Sequence, residues 1–485
     1  MFSIFGFREA SATRPRPRPR PKTHLHLECL EDRAVPAASY LAMNIASDQP
    51  GMAQFTDPHL VNPWGIALPP DSGSFWIANN GTGTFSLYSG GVNGQPMIMA
   101  TSPDGSATVG GAPTGVVYNS DPKAFLVGDT AARFIFASET GQIFAWVPDS
   151  SGGKSFEVFA ADDGAIYKGI TIGVNAEGPF LFAADFHNGK IDVFYASFGQ
   201  TKLVGSFADY AMFKGYAPFN IQNLDGKIYV TYARQDVDHE DDVAGPGLGF
   251  VDVFDTNGNL LQRLTAGGAL NAPWGLAMAP ANFGQFSNTL LVGNFGDGHI
   301  NSFDPKTGAW LGALTDGAGQ ALVIDGLWGM TFGNGVTSGD ANALYFTAGP
   351  GDESHGAFGV VREAANLTKQ FKTSRQLTRV GSNFMAGDLI VASPMLAKGG
   401  TFTIQISNVP DNVVLRGAVG RTPDGDWLIQ VKTPANGQKP PSNGSKTMIR
   451  VPLMFQLSPN SSRSVFAKFT VVSVFGTNLP QGSRT

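Results

Sequence analysis

Short apolar runs alternate with clusters of Gly, Pro, Asn and Asp through most of the chain, and the runs recur with a fixed order. "NPWGIALPP" at 62, "APTGVVYNS" at 112, "YKGITIGVN" at 167, "APFNIQNLD" at 217, "APWGLAMAP" at 272 and "GLWGMTFGN" at 326 begin alike. Aligned on Gly65, Gly115, Gly169, Asn220, Gly275 and Gly329, they are spaced 50, 54, 51, 55 and 54 residues apart. Each is followed by a second run ("SFWIAN", "RFIFAS", "FLFAAD", "KIYVTY", "TLLVGN", "ALYFTA") and a third ("TFSLY", "QIFAW", "KIDVF", "GFVDVF", "HINSF", "FGVV"). Runs of four to eight residues bounded by turn formers read as strands. Their long, steady period is that of a propeller, with one four-stranded antiparallel sheet per repeat. The pattern predicts an all-β, six-bladed β-propeller over residues 38–365, closed by "SYLAMNIAS" (39–47) as the outer strand of the last blade, which hides the edges.

After Glu363 the period vanishes. "DLIVASPML", "TFTIQISNV", "VVLRGAVGRTP", "DWLIQVKTP", "MIRVPLMFQL" and "SVFAKFTVVSVF" alternate as strands, so residues 366–485 are expected to form a smaller β-sandwich-like module. Before the first repeat, residues 1–37 carry alternating Arg and Pro, which fits neither a helix nor a central strand and predicts a disordered tail.

Composition narrows the function. A net charge of −6 over 485 residues offers no basic surface for nucleic acid, and the strongest basic run lies in the tail. Cys29 is the only cysteine, which rules out an internal disulfide and a CxxC metal site. No apolar run reaches the ~18 residues of a membrane span. A monomer is expected.

Two resemblances add to this. "LECLEDRAVPA" (Leu27–Ala37) is similar to the LExLEDRxxP segment near the start of many planctomycete surface proteins, which implies an extracellular, cell-surface or periplasmic location. The blade wording P-x-G-[IV] followed by [FY]-[VI]-A-[DN] resembles NHL repeats. "SDQPGMAQFTDPHLVNPWGIALPP", "YARQDVDHEDDVAGPGLGFVDVFD" and "LYFTAGPGDESHGAFG" resemble a bacterial family of uncharacterised, mostly exported propellers, over about residues 40–362. That resemblance implies the fold and transfers no activity.

In an antiparallel blade the start of the first strand and the turn between the second and third lie at one end of the ring. The sequence's unusual polar residues fall there: Asn79 and Asn80; Glu139; Asp185 and His187; Asp236, His239, Asp241 and Asp242 of "RQDVDHEDD"; Asn294, Asp297 and His299; and Asp352, Glu353 and His355. Asn220 joins them, as the one side chain that replaces the recurring glycine. Three readings compete: solvated turn residues, a Ca²⁺ or other divalent-cation site, and metal-assisted catalysis. Propellers of the gluconolactonase class hold a metal over the channel with Glu, Asn and Asp; here Gly65 occupies the repeated position where an acidic group would be sought in the first blade. The leading expectation is binding of a small molecule, glycan or envelope protein at this mouth, with a structural cation; the alternative is a lactonase- or esterase-type hydrolase.

Overall fold

The computed structural model describes residues 39–92, 95–100, 108–148, 154–366, 372–380, 384–392, 400–409, 413–433, 448–457 and 470–477. The tail of residues 1–37, with the segment expected to direct export, lies outside them. The described residues all belong to one compact unit.

The chain is an all-β propeller. Sheet one is formed by Pro63–Ala67, Phe75–Asn79, Thr84–Gly90 and Met97–Ala100, hydrogen-bonded in chain order. Sheets two to five repeat the scheme, with first strands Pro113–Tyr118, Tyr167–Asn175, Tyr216–Leu224 and Pro273–Met278. In the sixth, Leu327–Phe332, Leu344–Ala348 and Ala357–Asn366 are joined by Ser39–Ser47, antiparallel to Ala357–Asn366. The beginning and end of the propeller are thus stitched into one sheet.

The recurring glycine explains how the first strands of neighbouring sheets meet. A β carbon at Gly65 would lie 2.5 Å from the Thr114 carbonyl oxygen, and one at Gly115 would lie 2.7 Å from the Ile170 nitrogen. At Gly169 it would meet Asn220 Cα at 2.9 Å, and at Gly275 the Trp328 oxygen at 2.7 Å. Gly329 closes the circle, 2.5 Å from the Trp64 oxygen. None of these glycines has a positive φ. The constraint is therefore space, not backbone conformation. Asn220 fits in the fourth sheet because its Nδ2 donates to the Trp274 carbonyl at 2.8 Å, so a side chain replaces close backbone contact at that joint.

Alternating side chains fill the gaps between sheets. Phe180, Phe182 and Val193 of sheet three pack with Ile221, Ile228 and Phe254 of sheet four, all buried. Side chains so enclosed each contribute about 1.5–3 kcal/mol by leaving water.

The C-terminal residues form two four-stranded layers around their own core. Leu389, Val413, Leu415, Leu453 and Phe455 of one layer face Phe402, Ile404, Trp427 and Val474 of the other. One strand was not expected: Lys372–Val380, whose polar sequence "KTSRQLTRV" conceals its pairing with Phe384–Ala392. The boundary expected at 365/366 falls inside a single strand. Ala357–Asn366 pairs with Ser39–Ser47 along most of its length and continues at Ala365 and Asn366 onto Thr470–Thr477, so one ladder runs from propeller into sandwich.

A Gly65→Ala substitution should cost about 2–4 kcal/mol in chemical denaturation, because the methyl group meets backbone that cannot swing away. Gly199→Ala, whose β carbon would meet only the Ser197 hydroxyl at 3.7 Å, should stay within about 0.5 kcal/mol of the parent. Equal losses at the two positions would contradict the close-approach explanation.

Candidate functional site

Register fixes which turns share an end. Pro63 pairs with Asn79, Pro113 with Ser138, Tyr167 with Asp185, Tyr216 with Arg234, Pro273 with Asn294 and Leu327 with Ala348. Every turn after a second strand therefore sits beside the start of a first strand, at one mouth of the ring.

The residue before the recurring glycine points into that mouth's floor. Trp64, Trp274, Trp328 and Phe219 occupy this slot in sheets one, five, six and four, and all are buried in one cluster with Phe186. Trp64 and Trp328 stack with centroids 3.6 Å apart, and Phe295 stacks on Trp328 at 4.0 Å. Below this layer the channel opens into a cavity of about 250 Å³ lined by residues of the inner strands, including Ile66, Val116, Gln222 and Thr331, none of them charged.

Sheets two and three depart from the aromatic rule, with a buried Thr114 in the second and a lysine in the third. Lys168 takes the slot, 1% exposed, and its Nζ lies 5.1 Å from the Trp64 ring centroid and 5.9 Å from that of Phe186. The ammonium donates to Glu139 Oε1 at 2.5 Å and to Asp241 Oδ1 at 3.1 Å. Glu139 Oε2 accepts from Asn80 Nδ2 at 2.8 Å; Asn80 Oδ1 accepts from Asn62 Nδ2, which also donates to Glu353 Oε2 at 2.5 Å. Trp328 Nε1 completes the chain by donating to Asn62 Oδ1. One lysine and the carboxylates of Glu139, Asp241, Asp242 and Glu353, drawn from sheets two, three, four and six, thus gather over an aromatic floor.

Their electrostatics follow from that crowding. Burial would lower the Lys168 pKa, but Glu139 and Asp241 more than offset it and hold the ammonium above its ordinary value. Burial raises Asp242 to about 7; Lys168 opposes the shift, while Asp241 and Glu353 add to it. Glu353 is also pushed up by burial, against the hydrogen bond from Asn62. Asp242 Oδ2 is shut off from solvent and accepts no hydrogen bond from the protein.

The other expected residues do not converge here. Asn79 is buried within sheet one, donating to Thr84 and Ser86 hydroxyls. Asp185 caps its own turn by accepting from Ile166 N and from Asn188 N and Nδ2. Asp236 Oδ1 accepts from Glu240 N, another turn bond. Asn294 donates to the Ala269 carbonyl and to Asp297, and Asp297 accepts from His299 N. His355 Nδ1 lies 2.9 Å from Asp48 Oδ2, beyond the closing strand. His187 and His239 meet edge to face with centroids 6.1 Å apart, and His239 and Asp352 hold positive φ in tight turns. Asn220 is a joint of the ring. Among the described residues no three His, Cys, Asp or Glu side chains are grouped to hold a metal ion. Local turn geometry takes up most of the polar atoms from which the divalent-cation reading was built.

No family model matches the sequence. An uncharacterised protein of Acanthamoeba polyphaga mimivirus, R648, is 31% identical over 326 residues, covering 65% of this chain and 78% of that protein. A second, L690, is 30% identical over 334 residues, covering 66% and 85%. The chain belongs to the family of these mimivirus proteins. This corrects the bacterial and planctomycete assignment: these relatives are viral. Among solved structures, a glucose dehydrogenase shares 13% identity at a TM-score of 0.40, covering 66% of this chain and 98% of that one, which is too distant to carry an argument about activity. No helix among the described residues is long and apolar enough to cross a membrane.

Asp242 makes stability depend on pH with a definite sign. Its folded pKa of about 7 stands above the unfolded value of about 3.9, so the folded state holds the proton more tightly and loses stability as pH rises from about 4 to about 7. Asp242→Asn, fixed in the uncharged form, should melt a few °C above the parent at pH 8 and lose that advantage near pH 4; an advantage independent of pH would contradict the shift. Lys168→Met should cost about 2–4 kcal/mol at pH 8, where its partners are ionised, and less at pH 5. Parallel denaturation curves at the two pH values would read this out.

Proposed function

We propose that this chain is a binding propeller whose ligand seats at the carboxylate-rich mouth. One observation carries the reading: four carboxylates from three sheets surround a single buried lysine, so the cluster holds more negative charge than the protein itself neutralises. A structural network has no need of that surplus, because like charges this close oppose folding. Functional sites are where such opposed charge is retained. The aromatic floor separates the mouth from the channel cavity, so the ligand is held at the surface of the ring.

The hydrolase alternative has less support. Metal-assisted hydrolysis needs several ligands fixed around one point and a position left for water. The carboxylates at the mouth are spread around Lys168 instead, and the histidines are placed in separate turns.

Tryptophan emission offers a test, because Trp64 touches Lys168 and Trp328 touches Asn62. Titration with small cations, anions and neutral polyols should give a saturable change for at least one class, weakened about fivefold or more by Glu353→Gln and retained in Trp310→Phe on an outer strand. If no class gives a saturable change, or if the change survives Glu353→Gln, the reading falls.

A further inference from the structure

We infer that the channel cavity below the aromatic floor is a second binding site, which takes one uncharged cyclic polyol of monosaccharide size. It lies apart from the mouth and does not rest on the reading of the mouth as a binding site.

The repeat builds this cavity in layers. The first strands are edge strands of their sheets and line the channel, so equivalent residues of the copies ring it at successive depths, about 3.3 Å apart. One residue after the recurring glycine the lining is apolar, with Ile66, Val116, Ile170, Ile221 and Met330. Two residues after it the lining turns polar on one set of sheets: Thr171, Gln222 and Thr331 come from sheets three, four and six, against Ala67 and Val117 from sheets one and two. Sheets three and six stand opposite each other in a ring of six, so the two threonines flank the cavity and Gln222 stands next to one of them.

These polar groups have hydrogen-bonding capacity that the protein leaves open. The Gln222 amide, half-buried, makes no hydrogen bond to any described residue. Thr171 Oγ1 accepts from Asn223 N at 3.0 Å, which leaves its own hydrogen to donate. Thr331 Oγ1 reaches only the Phe332 carbonyl, at 3.4 Å. Edge strands also present backbone N–H and C=O groups that have no ladder partner on their free side.

The lining excludes most classes of ligand. No charged residue borders the cavity, so an ion there would lose its hydration without gaining a counter-charge. A purely apolar molecule would strand the Gln222 amide and the strand edges. The volume of about 250 Å³ lies below the roughly 300 Å³ at which ligand pockets usually begin, so the space suits one small molecule. A cyclic polyol satisfies both layers at once. Its hydroxyls, spread around the ring, serve Thr171, Gln222 and Thr331, while one C–H face rests on the apolar layer a residue closer to the floor, where waters are poorly held and displaced with little loss. Entry is from the end away from the mouth: the aromatic floor closes one side, whereas Leu68, Tyr118 and Asn223, a residue further along, are half-buried rather than sealed.

Calorimetric titration of the full chain at pH 6 tests this with D-glucose, D-galactose, D-mannose and myo-inositol, set beside D-glucuronate, protonated D-glucosamine and cyclohexanol. At least one neutral polyol should bind at a single site, at least tenfold more tightly than the charged sugars and cyclohexanol. Gln222→Met and Thr331→Val, which keep size but lose polar atoms, should each weaken binding about fivefold or more, Thr331→Ser should retain it, and Glu353→Gln at the mouth should not change it. In the tryptophan titration, a polyol response that survives Glu353→Gln but not Gln222→Met is the channel's. A calorimetric signal lost in Glu353→Gln and unchanged in Gln222→Met would put the polyol at the mouth and overturn the channel site. Preference for glucuronate, glucosamine or cyclohexanol would overturn the polyol assignment. Absence of binding by all four neutral polyols would mean that the cavity holds water only, overturning the inference and leaving the reading of the mouth as it stands.

Discussion

The close approach of first strands at the recurring glycine is the constraint on which the rest of the structure depends. With no β carbon at Gly65, Gly115, Gly169, Gly275 and Gly329, five of the six joints bring inner strands into backbone contact, and the Asn220 side chain bridges the other. That contact fixes where the preceding residue stands. In four sheets it is an aromatic ring, and the rings stack into a floor. In the third it is Lys168, carried to the centre of the mouth by the same backbone geometry.

A buried lysine is costly unless it is paired, and the mouth shows how the cost is met. Glu139 and Asp241 supply two acceptors and Trp64 a polarisable face, enough to keep the ammonium charged. Asp242 and Glu353 then add negative charge that Lys168 cannot cancel, and both are driven toward protonation. An arrangement that served only to satisfy Lys168 would stop at two carboxylates. The excess is what favours reading the mouth as a binding site rather than as a lock for one side chain.

Much of this fold was legible because a ring of sheets repeats its spacing, its glycine and its apolar runs. The same repetition placed every second-to-third-strand turn at one end, as register bears out. Side-chain convergence was not legible, since short turns consume their own polar atoms: Asp185, Asp236 and Asp297 cap neighbouring backbone, and His355 turns to Asp48. The best single signal went unread. In "YKGITIGVN" a lysine stands where the other copies have Trp, Phe or Thr, and that exception marked the centre of the cluster. Lys372–Val380 escaped notice for a different reason: its polar run gives little apolar alternation by which to recognise a strand.

The central claim is that the carboxylate-rich mouth around Lys168 is a binding site. Crystal structures of the protein grown separately with 4-bromophenethylammonium, 4-bromophenylacetate and 4-bromophenethyl alcohol test it most directly, because the bromine's anomalous signal locates each ligand without reference to any assumed pose. The account predicts a dominant peak at the mouth, over the aromatic floor, for at least one of the three, lost in Glu353→Gln. Peaks for all three only in the channel cavity, on the outer strands or in the C-terminal sandwich, or no peak at the mouth, would contradict it.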